Sequence, residues 1–216
     1  MTGAFNFDWD RASRTGLPEV VLAEFKTPAH VREIAEAAVA RSHPLLMTRL
    51  RKRHRRALDG LPFDLDLLAR TAAFRAPDVP DDAPLVAIVT AGTSDAAVAS
   101  ETRVTASFLG LRTLGVADVG VAALWRLEAR LAEIREAQVV IAIAGMEGAL
   151  FSVLPGLVRA PVIAVPTSVG YGVGAAGRAA LRSALSTCSA GLTVVNIDNG
   201  FGAAAAALRM VRAVPA

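Results

Sequence analysis

The sequence predicts an α/β protein in which a doubly wound parallel sheet follows a small N-terminal α+β domain. From residue 85 onward, short apolar runs alternate with helical stretches five times. Parallel strands need a crossover that returns the chain, and right-handed crossovers place helices on both faces of the sheet. Between residues 74 and 85, three prolines and three aspartates predict a linker. We therefore expect an N-terminal domain with its linker over residues 1–80 and an α/β domain over residues 81–216.

The N-terminal part has a mixed and charged pattern. Residues 20–25 predict a short strand. Thr27 is a suitable N-cap and Pro28 suits the first position of a helix, so we expect a helix over residues 28–41. Six basic residues follow within residues 49–56: Arg49, Arg51, Lys52, Arg53, Arg55 and Arg56. No aromatic residue for base stacking accompanies them, so a solvated helix face is favoured over a phosphate or nucleic-acid patch.

Five strands and five helices are predicted in the C-terminal part. Residues 85–92 form an apolar run that ends in a turn, as is typical of a buried parallel strand. Further strands are predicted at residues 111–118, 138–145, 160–168 and 191–200. Helices are predicted at residues 95–109, 124–136, 147–157, 174–185 and 203–212. This order is typical of flavodoxin-like and Rossmann-like domains, whose ligands bind beyond the carboxyl ends of the strands.

Composition bounds the classes of protein that fit. A single cysteine cannot form an intramolecular disulfide, which fits a reducing cytoplasm. The first residues contain no apolar block typical of a secretory signal. Glu147, Arg159 and Arg178 interrupt the apolar stretches before they reach the length of a membrane span. The net charge of +3 favours anionic ligands without requiring nucleic acid. The three histidines all precede residue 55, with spacing that suits no zinc site.

Glycines and small polar residues follow four of the predicted strands. The segments are TAGTSD (90–95), AGMEG (144–148), PTSVGYGVG (166–174) and NIDNGFG (196–202). Glycines let the backbone approach a ligand closely, and hydroxyls and N–H groups at helix starts favour phosphate or carboxylate. Neither the dinucleotide fingerprint nor the P-loop is present. Ser94 and Asp95 are equally suitable as simple caps of the next helix.

Two reactive side chains remain open to interpretation from the residues alone. Glu147 stands between two glycines where a helix is predicted to begin, so it either complements the helix dipole or acts as a general base or cation ligand. Cys188 follows the fourth of these helices, away from the strand ends. That position favours a buried structural thiol, since free cysteine packs as a small hydrophobe.

Several of these segments together resemble a known family. They are VAIVTAGTSD, DVGVAALWRL, AGMEGAL, PVIAVPTSVGYG and CSAGLTVVNIDNGFGAA, with RTGLPEVVLAEFKTPAHV near the start of the chain. They resemble the LarB family of pyridinium-3,5-biscarboxylic acid mononucleotide synthases, whose catalytic domain is related to the PurE family of carboxyaminoimidazole ribonucleotide mutases. The resemblance covers nearly the whole chain.

The resemblance implies a carboxylase-hydrolase. Such an enzyme carboxylates carbon 5 of the pyridinium ring of nicotinic acid adenine dinucleotide and releases AMP, and its product feeds synthesis of the nickel-pincer nucleotide cofactor of lactate racemase. CO2 or bicarbonate is the co-substrate, no cofactor is expected to be tightly bound, and Mg2+ is kept as a candidate activator. Related mutases are octamers, so a homo-oligomer, tetramer or octamer, is expected, with no membrane or nucleic-acid partner.

The resemblance also assigns site residues. Cys188 becomes the covalent nucleophile, which replaces the structural interpretation of this thiol, and Glu147 becomes the base. The residues implied to bind substrate are Gly92, Thr93, Ser94, Asp95, Gly145, Met146, Thr167, Ser168, Tyr171, Asn196, Asp198, Asn199 and Lys26. Two residues depart from the family pattern, Trp125 in place of a histidine and Phe25 in place of a glycine.

Two other functions fit parts of the pattern. A purine-type carboxylate mutase is disfavoured because its family relies on a histidine after the second strand, and no histidine lies beyond His54 here. A nucleotide-binding regulator that has lost the reaction is the second alternative. Binding of the dinucleotide without release of AMP would favour it.

Overall fold

The computed structural model describes residues 5–213. The chain forms two compact units, Met1–Asp78 and Val79–Ala216. Within the described residues, no helix is both long and apolar enough to cross a membrane.

From residue 5 onward, the N-terminal unit is a four-stranded mixed sheet with three helices. Its strands, numbered in chain order, are β1 (Val21–Leu22), β2 (Leu45–Thr48), β3 (Asp64–Asp66) and β4 (Thr71–Phe74), arranged in the order β1-β2-β4-β3. Its helices are α1 (Arg11–Thr15), α2 (Pro28–Ala40) and α3 (Lys52–Ala57). The predicted helix at residue 28 is confirmed, and the Thr27 side chain accepts a hydrogen bond from the His30 N–H at 3.2 Å. The buried face of α2 packs on β2.

The basic run forms a short helix on this unit. The side chains of Arg51, Arg53 and Arg56 are exposed. His54, within the same run, is fully buried. Its ring nitrogens have partners there: one accepts a hydrogen bond from the Arg51 N–H at 3.1 Å, and the other lies 3.0 Å from the Lys26 carbonyl. The helix face is therefore solvated, as predicted, and His54 anchors it.

The C-terminal unit is a five-stranded parallel sheet with helices on both faces. Its strands are β5 (Leu85–Thr90), β6 (Arg112–Val116), β7 (Val139–Ala144), β8 (Val162–Pro166) and β9 (Leu192–Val194), in the order β6-β5-β7-β8-β9. Its helices are α4 (Ala96–Phe108), α5 (Leu124–Glu128), α6 (Leu131–Ile134), α7 (Leu150–Val153), α8 (Arg178–Ser186) and α9 (Gly200–Ala213). The predicted doubly wound architecture is confirmed.

Alternate strand residues face the two helical layers, as the two-residue period of a strand requires. Ala87 and Val89 of β5 pack with Leu127, Phe151 and Ala180 from α5, α7 and α8. On the other face, α4 and α9 pack against each other and on β5, β7 and β8. The residues of β7 are buried without exception, as expected of a central parallel strand covered by helices on both faces.

Three predicted helices start late or break. The helix predicted from residue 124 is divided into α5 and α6, because Arg130 takes a φ of −110° and a ψ of 0°. The helix predicted from residue 147 begins only at Leu150, since Gly148 has a φ of 65°, outside the helical region. The helix predicted from residue 174 begins at Arg178, after a 3-10 segment in which Ala176 has a φ of 59°.

Candidate functional site

The carboxyl edge of the parallel sheet is where the topology places a ligand. In the order β6-β5-β7-β8-β9, the chain leaves β5 for one edge and returns across it to β7. The crevice beyond the carboxyl ends of β5 and β7 is therefore the switch point of this fold. The loops that follow these two strands, residues 91–95 and 145–149, flank it.

The loop after β5 is held from inside by Asp95. This side chain is 3% exposed, accepts the Gly92 N–H at 3.1 Å and accepts the Thr167 hydroxyl at 2.8 Å. Thr167 itself is completely buried at the end of β8. Asp95 thus ties the loop after β5 to the loop after β8. Thr93 and Ser94, by contrast, are exposed.

Burial is the main influence on the Asp95 carboxyl. Desolvation raises its pKa above the usual 3.8, and the charge of Asp198 acts in the same direction. The two hydrogen bonds from Thr167 and Gly92 oppose this rise because they favour the ionised form. The Asp95 carboxylate accepts hydrogen bonds from both Gly92 and Thr167 in a buried polar network.

The loops after β7, β8 and β9 are joined by backbone hydrogen bonds. The Met146 N–H donates to the Val169 carbonyl at 3.0 Å. The Ser168 N–H donates to the Asp198 carboxylate at 2.8 Å, and the Asp198 N–H donates to the Pro166 carbonyl at the same distance. Gly145 allows the close approach of the first two loops, since a Cβ there would lie 2.2 Å from the Val169 oxygen. With the bond between Asp95 and Thr167, these contacts join the loops after β5, β7, β8 and β9 into one continuous edge.

Two asparagines in the last loop have local partners. The Asn196 side chain accepts the N–H of Ile197 at 2.8 Å, and the Asn199 side chain accepts the N–H of Gly202 at 2.9 Å. Asn199 therefore caps the start of α9, while the Asn196 residue remains exposed.

Three side chains to which the resemblance assigns a role are exposed. Glu147 is exposed in the turn after β7. Tyr171 is 78% exposed in the loop after β8. Cys188 is exposed beyond the end of α8, so the prediction of a buried structural thiol, made from its position in the sequence, is wrong. Its accessibility meets the first requirement of a nucleophile.

The thiol is held near a helix of the same unit. Cys188 lies between Thr187 and Ser189, and both flanking hydroxyls bond to Ser152 in α7. α7 begins three residues after Glu147. Ser152 was not among the predicted site residues, and neither was Thr90, whose hydroxyl accepts the Asp118 N–H at 3.2 Å. The sequence shows hydroxyl residues on both sides of Cys188 and at the end of β5. Their partners, Ser152 and Asp118, are distant in sequence and could not be predicted from it.

Lys26 belongs to the N-terminal unit, where it is half-buried. Its role in binding substrate stays a prediction. The two departures from the family pattern, Trp125 and Phe25, are exposed by 67% and 84%. Within residues 5–213, no cluster of three histidine, cysteine or acidic side chains is arranged to hold a metal ion.

Comparisons with known proteins identify the family. Residues 1–74 match the family model described as the LarB/PurE-like N-terminal domain, and residues 85–214 match the model described as AIR carboxylase. An uncharacterized protein of Methanocaldococcus jannaschii is 35% identical over 206 residues, which cover 91% of this chain and 79% of the relative.

One solved structure shares the parallel-sheet fold of the C-terminal unit. The crystal structure of Treponema denticola PurE has a TM-score of 0.50 at 24% identity and covers 61% of this chain and 82% of its own. A single-substitution variant of PurE2 from the same organism has a TM-score of 0.45 at 22% identity, covering 61% of this chain and 90% of its own. The two matched family models indicate an enzyme of the carboxylase or mutase type. With both family models matched in order along it, the chain belongs to the LarB family, which is related to PurE.

Proposed function

We propose that this protein carboxylates carbon 5 of the pyridinium ring of nicotinic acid adenine dinucleotide and hydrolyses the phosphoanhydride to release AMP. The product is pyridinium-3,5-biscarboxylic acid mononucleotide, a precursor of the nickel-pincer nucleotide of lactate racemase. The observation that carries the proposal is the exposure of Cys188, the single thiol of a chain that matches the LarB/PurE-like N-terminal domain and the AIR carboxylase domain in order.

The chemistry needs a nucleophile because a pyridinium ring is poor in electrons and its carbon 5 does not attack CO2. In the first step the Cys188 thiolate forms a bond to carbon 4, and the ring nitrogen becomes neutral. Carbon 5 is then the nucleophilic carbon of an enamine. It forms a carbon–carbon bond to CO2, and the ring nitrogen regains its positive charge as an iminium.

A base completes the sequence. Glu147 takes the proton from carbon 5, and the electron pair of that bond neutralises the iminium. The bond between sulfur and carbon 4 then breaks, the pair leaves with the thiolate, and the aromatic pyridinium returns. One proton is exchanged for one carboxylate, so no oxidant or reductant is required. The exposure of Glu147 at the carboxyl end of β7 supports this role.

The remaining site residues divide by exposure. Thr93, Ser94, Ser168 and Tyr171 are exposed and are proposed to contact the substrate. Asp95 and Thr167 are buried and are proposed to hold the loops in place. Gly92, Gly145, Met146, Asn196, Asp198 and Asn199 are proposed to shape the pocket, and Lys26 to contact a phosphate. A homo-oligomer with CO2 or bicarbonate as co-substrate remains part of the proposal.

The test is intact-protein mass spectrometry after incubation with nicotinic acid adenine dinucleotide and bicarbonate, with product masses measured in parallel. We expect the wild type to give the dicarboxylated mononucleotide and AMP, and Cys188→Ser to give neither. Glu147→Gln lacks the base, so we expect a protein species whose mass is increased by the carboxylated iminium adduct, still bound through sulfur.

Glu136→Gln is the matched control for the glutamate. Glu136 is also exposed, but it precedes β7, whereas Glu147 follows the same strand. The control should turn over like the wild type. Production of AMP by Cys188→Ser at the wild-type rate would refute the covalent mechanism, and binding of the dinucleotide without any AMP from the wild type would favour a regulator.

A further inference from the structure

Three hydroxyl residues connect the cysteine loop to α7. The Thr187 hydroxyl donates to the Ser152 hydroxyl oxygen at 3.0 Å, and the Ser189 hydroxyl donates to the Ser152 carbonyl at 2.6 Å. The Ser189 N–H also donates to the Thr187 hydroxyl oxygen at 3.2 Å. We call Ser152, Thr187 and Ser189 the hydroxyl latch. It has one residue on each side of Cys188 and one on the neighbouring helix.

The helix end of the latch is a rigid support. Leu150 and Phe151, which precede Ser152, are 1% and 0% exposed and pack in the main core of the C-terminal unit. Leu154 is also fully buried. Ser152 itself is exposed, so its two polar atoms face the cysteine loop from a helix whose other side is fixed in the core.

The loop end has little other support. α8 ends at Ser186, and Thr187 takes an extended backbone with a φ of −65° and a ψ of 144°. Cys188, Ala190 and Gly191 are exposed before β9 begins at Leu192. An exposed loop with few buried contacts opens readily unless specific bonds restrain it. The latch supplies such bonds on both sides of the thiol.

We infer that Ser152 is a positioning residue that fixes the loop carrying Cys188 and ties it to the helix that begins three residues after Glu147. The inferred restraint of the loop is independent of the proposed function, whereas its effect on catalysis rests on that function. Addition of sulfur to carbon 4 requires alignment of the two reacting atoms, and a displacement of about 1 Å is enough to lower a rate by about a hundredfold. A loosened latch should therefore lower kcat more than it changes KM.

The single cysteine makes the loop directly observable. A nitroxide spin label on Cys188 reports its mobility by electron paramagnetic resonance, with no other thiol to label. The variants are Ser152→Ala, Ser189→Ala and their combination, with Ser152→Thr as the conservative replacement that keeps the hydroxyl. Ser186→Ala is the matched control, because the Ser186 hydroxyl bonds only to carbonyls of its own helix, those of Arg182 and Ser183.

We expect the double variant to gain a mobile spectral component, while Ser152→Thr and Ser186→Ala keep the wild-type spectrum. In unlabelled proteins, kcat of the double variant should fall by about tenfold or more, while KM changes much less. The single variant Ser152→Thr, which keeps the hydroxyl, should retain the wild-type kcat. An unchanged spectrum in the double variant would overturn the latch. A mobile spectrum with unchanged kcat would overturn its positioning role. If the wild type makes no AMP, the proposed function fails, and the spectra still decide whether the latch exists.

Discussion

Asp95 offers the most quantitative test of the framework, because removing its carboxylate deletes two hydrogen bonds. Asp95→Ala leaves the Thr167 hydroxyl without its acceptor in a completely buried place, which costs about 1–3 kcal/mol. The Gly92 N–H is half-buried, so water replaces the carboxylate there and the loss is about 1 kcal/mol. The expected destabilisation is therefore about 2–4 kcal/mol, or roughly 4–16 °C in Tm for a chain of this size.

The assay is thermal unfolding followed by circular dichroism, with urea unfolding for the free energy. Thr167→Val is the partner variant, since it removes the same hydroxyl from the other side, and the double variant should cost less than the sum of the two. Asp95→Asn is the matched control, because its amide can accept from Gly92 and donate to Thr167. If Asp95→Ala unfolds within about 0.5 kcal/mol of the wild type, the buried network does not hold the loops.

The pH dependence of the same pair has a defined sign. Burial raises the pKa of Asp95 in the folded protein above its usual 3.8, so the folded state holds this proton more tightly than the unfolded chain. The stability that this provides is complete below pH 3.8 and is lost as the pH rises through the folded pKa. The stability of Asp95→Asn relative to the wild type should therefore increase as the pH is raised from 3.5 to 7. A difference that does not change over this range would refute the burial argument.

Three further outcomes follow from other residues. Gly145→Ala should destabilise the C-terminal unit and abolish turnover, measured by unfolding and AMP release, because the new Cβ would lie 2.2 Å from the Val169 oxygen. His54, whose pKa is lowered mainly by burial, should make the N-terminal unit less stable as the pH falls below 6.5, and His54→Phe should remove that dependence in urea unfolding while lowering stability. Tyr171→Ala should leave the free energy of unfolding within about 0.5 kcal/mol and raise KM for the dinucleotide, because this ring is exposed.

The parts of the fold that could be predicted are those with a strong local signal. The continuous apolar runs of β5, β7 and β8 identify strands buried on both faces, and Thr27 with Pro28 marks the start of α2. One helix error is the break at Arg130. The other two lie before α7 and α8, where Gly148 and Ala176 take a positive φ. Such conformations are imposed by tertiary contacts and leave no pattern in the sequence. The strands β2, β3 and β4 were not predicted. β2 and β4 are buried at all four positions, so they show no alternation of buried and exposed residues.

The site shows the same limit at the level of side chains. Periodicity placed Cys188 past the end of a helix but could not predict that the loop is exposed. It also could not predict the bond from this loop to Ser152, which lies far from it in sequence. The resemblance of several motifs to one family assigned the thiol a reaction. The structure shows that the thiol is exposed, whereas its position in the sequence alone had predicted a buried thiol.

Asp95 and Glu147 show why acidic residues at strand ends have different roles. Both follow apolar strands that pair with each other, β5 and β7. Asp95 lies three residues after Gly92, so its short side chain reaches back to that N–H and is buried against Thr167. Glu147 lies between Met146 and Gly148, both in the left-handed region, and its side chain is exposed. The backbone after each strand therefore decides whether a carboxylate is buried in the framework or exposed to solvent.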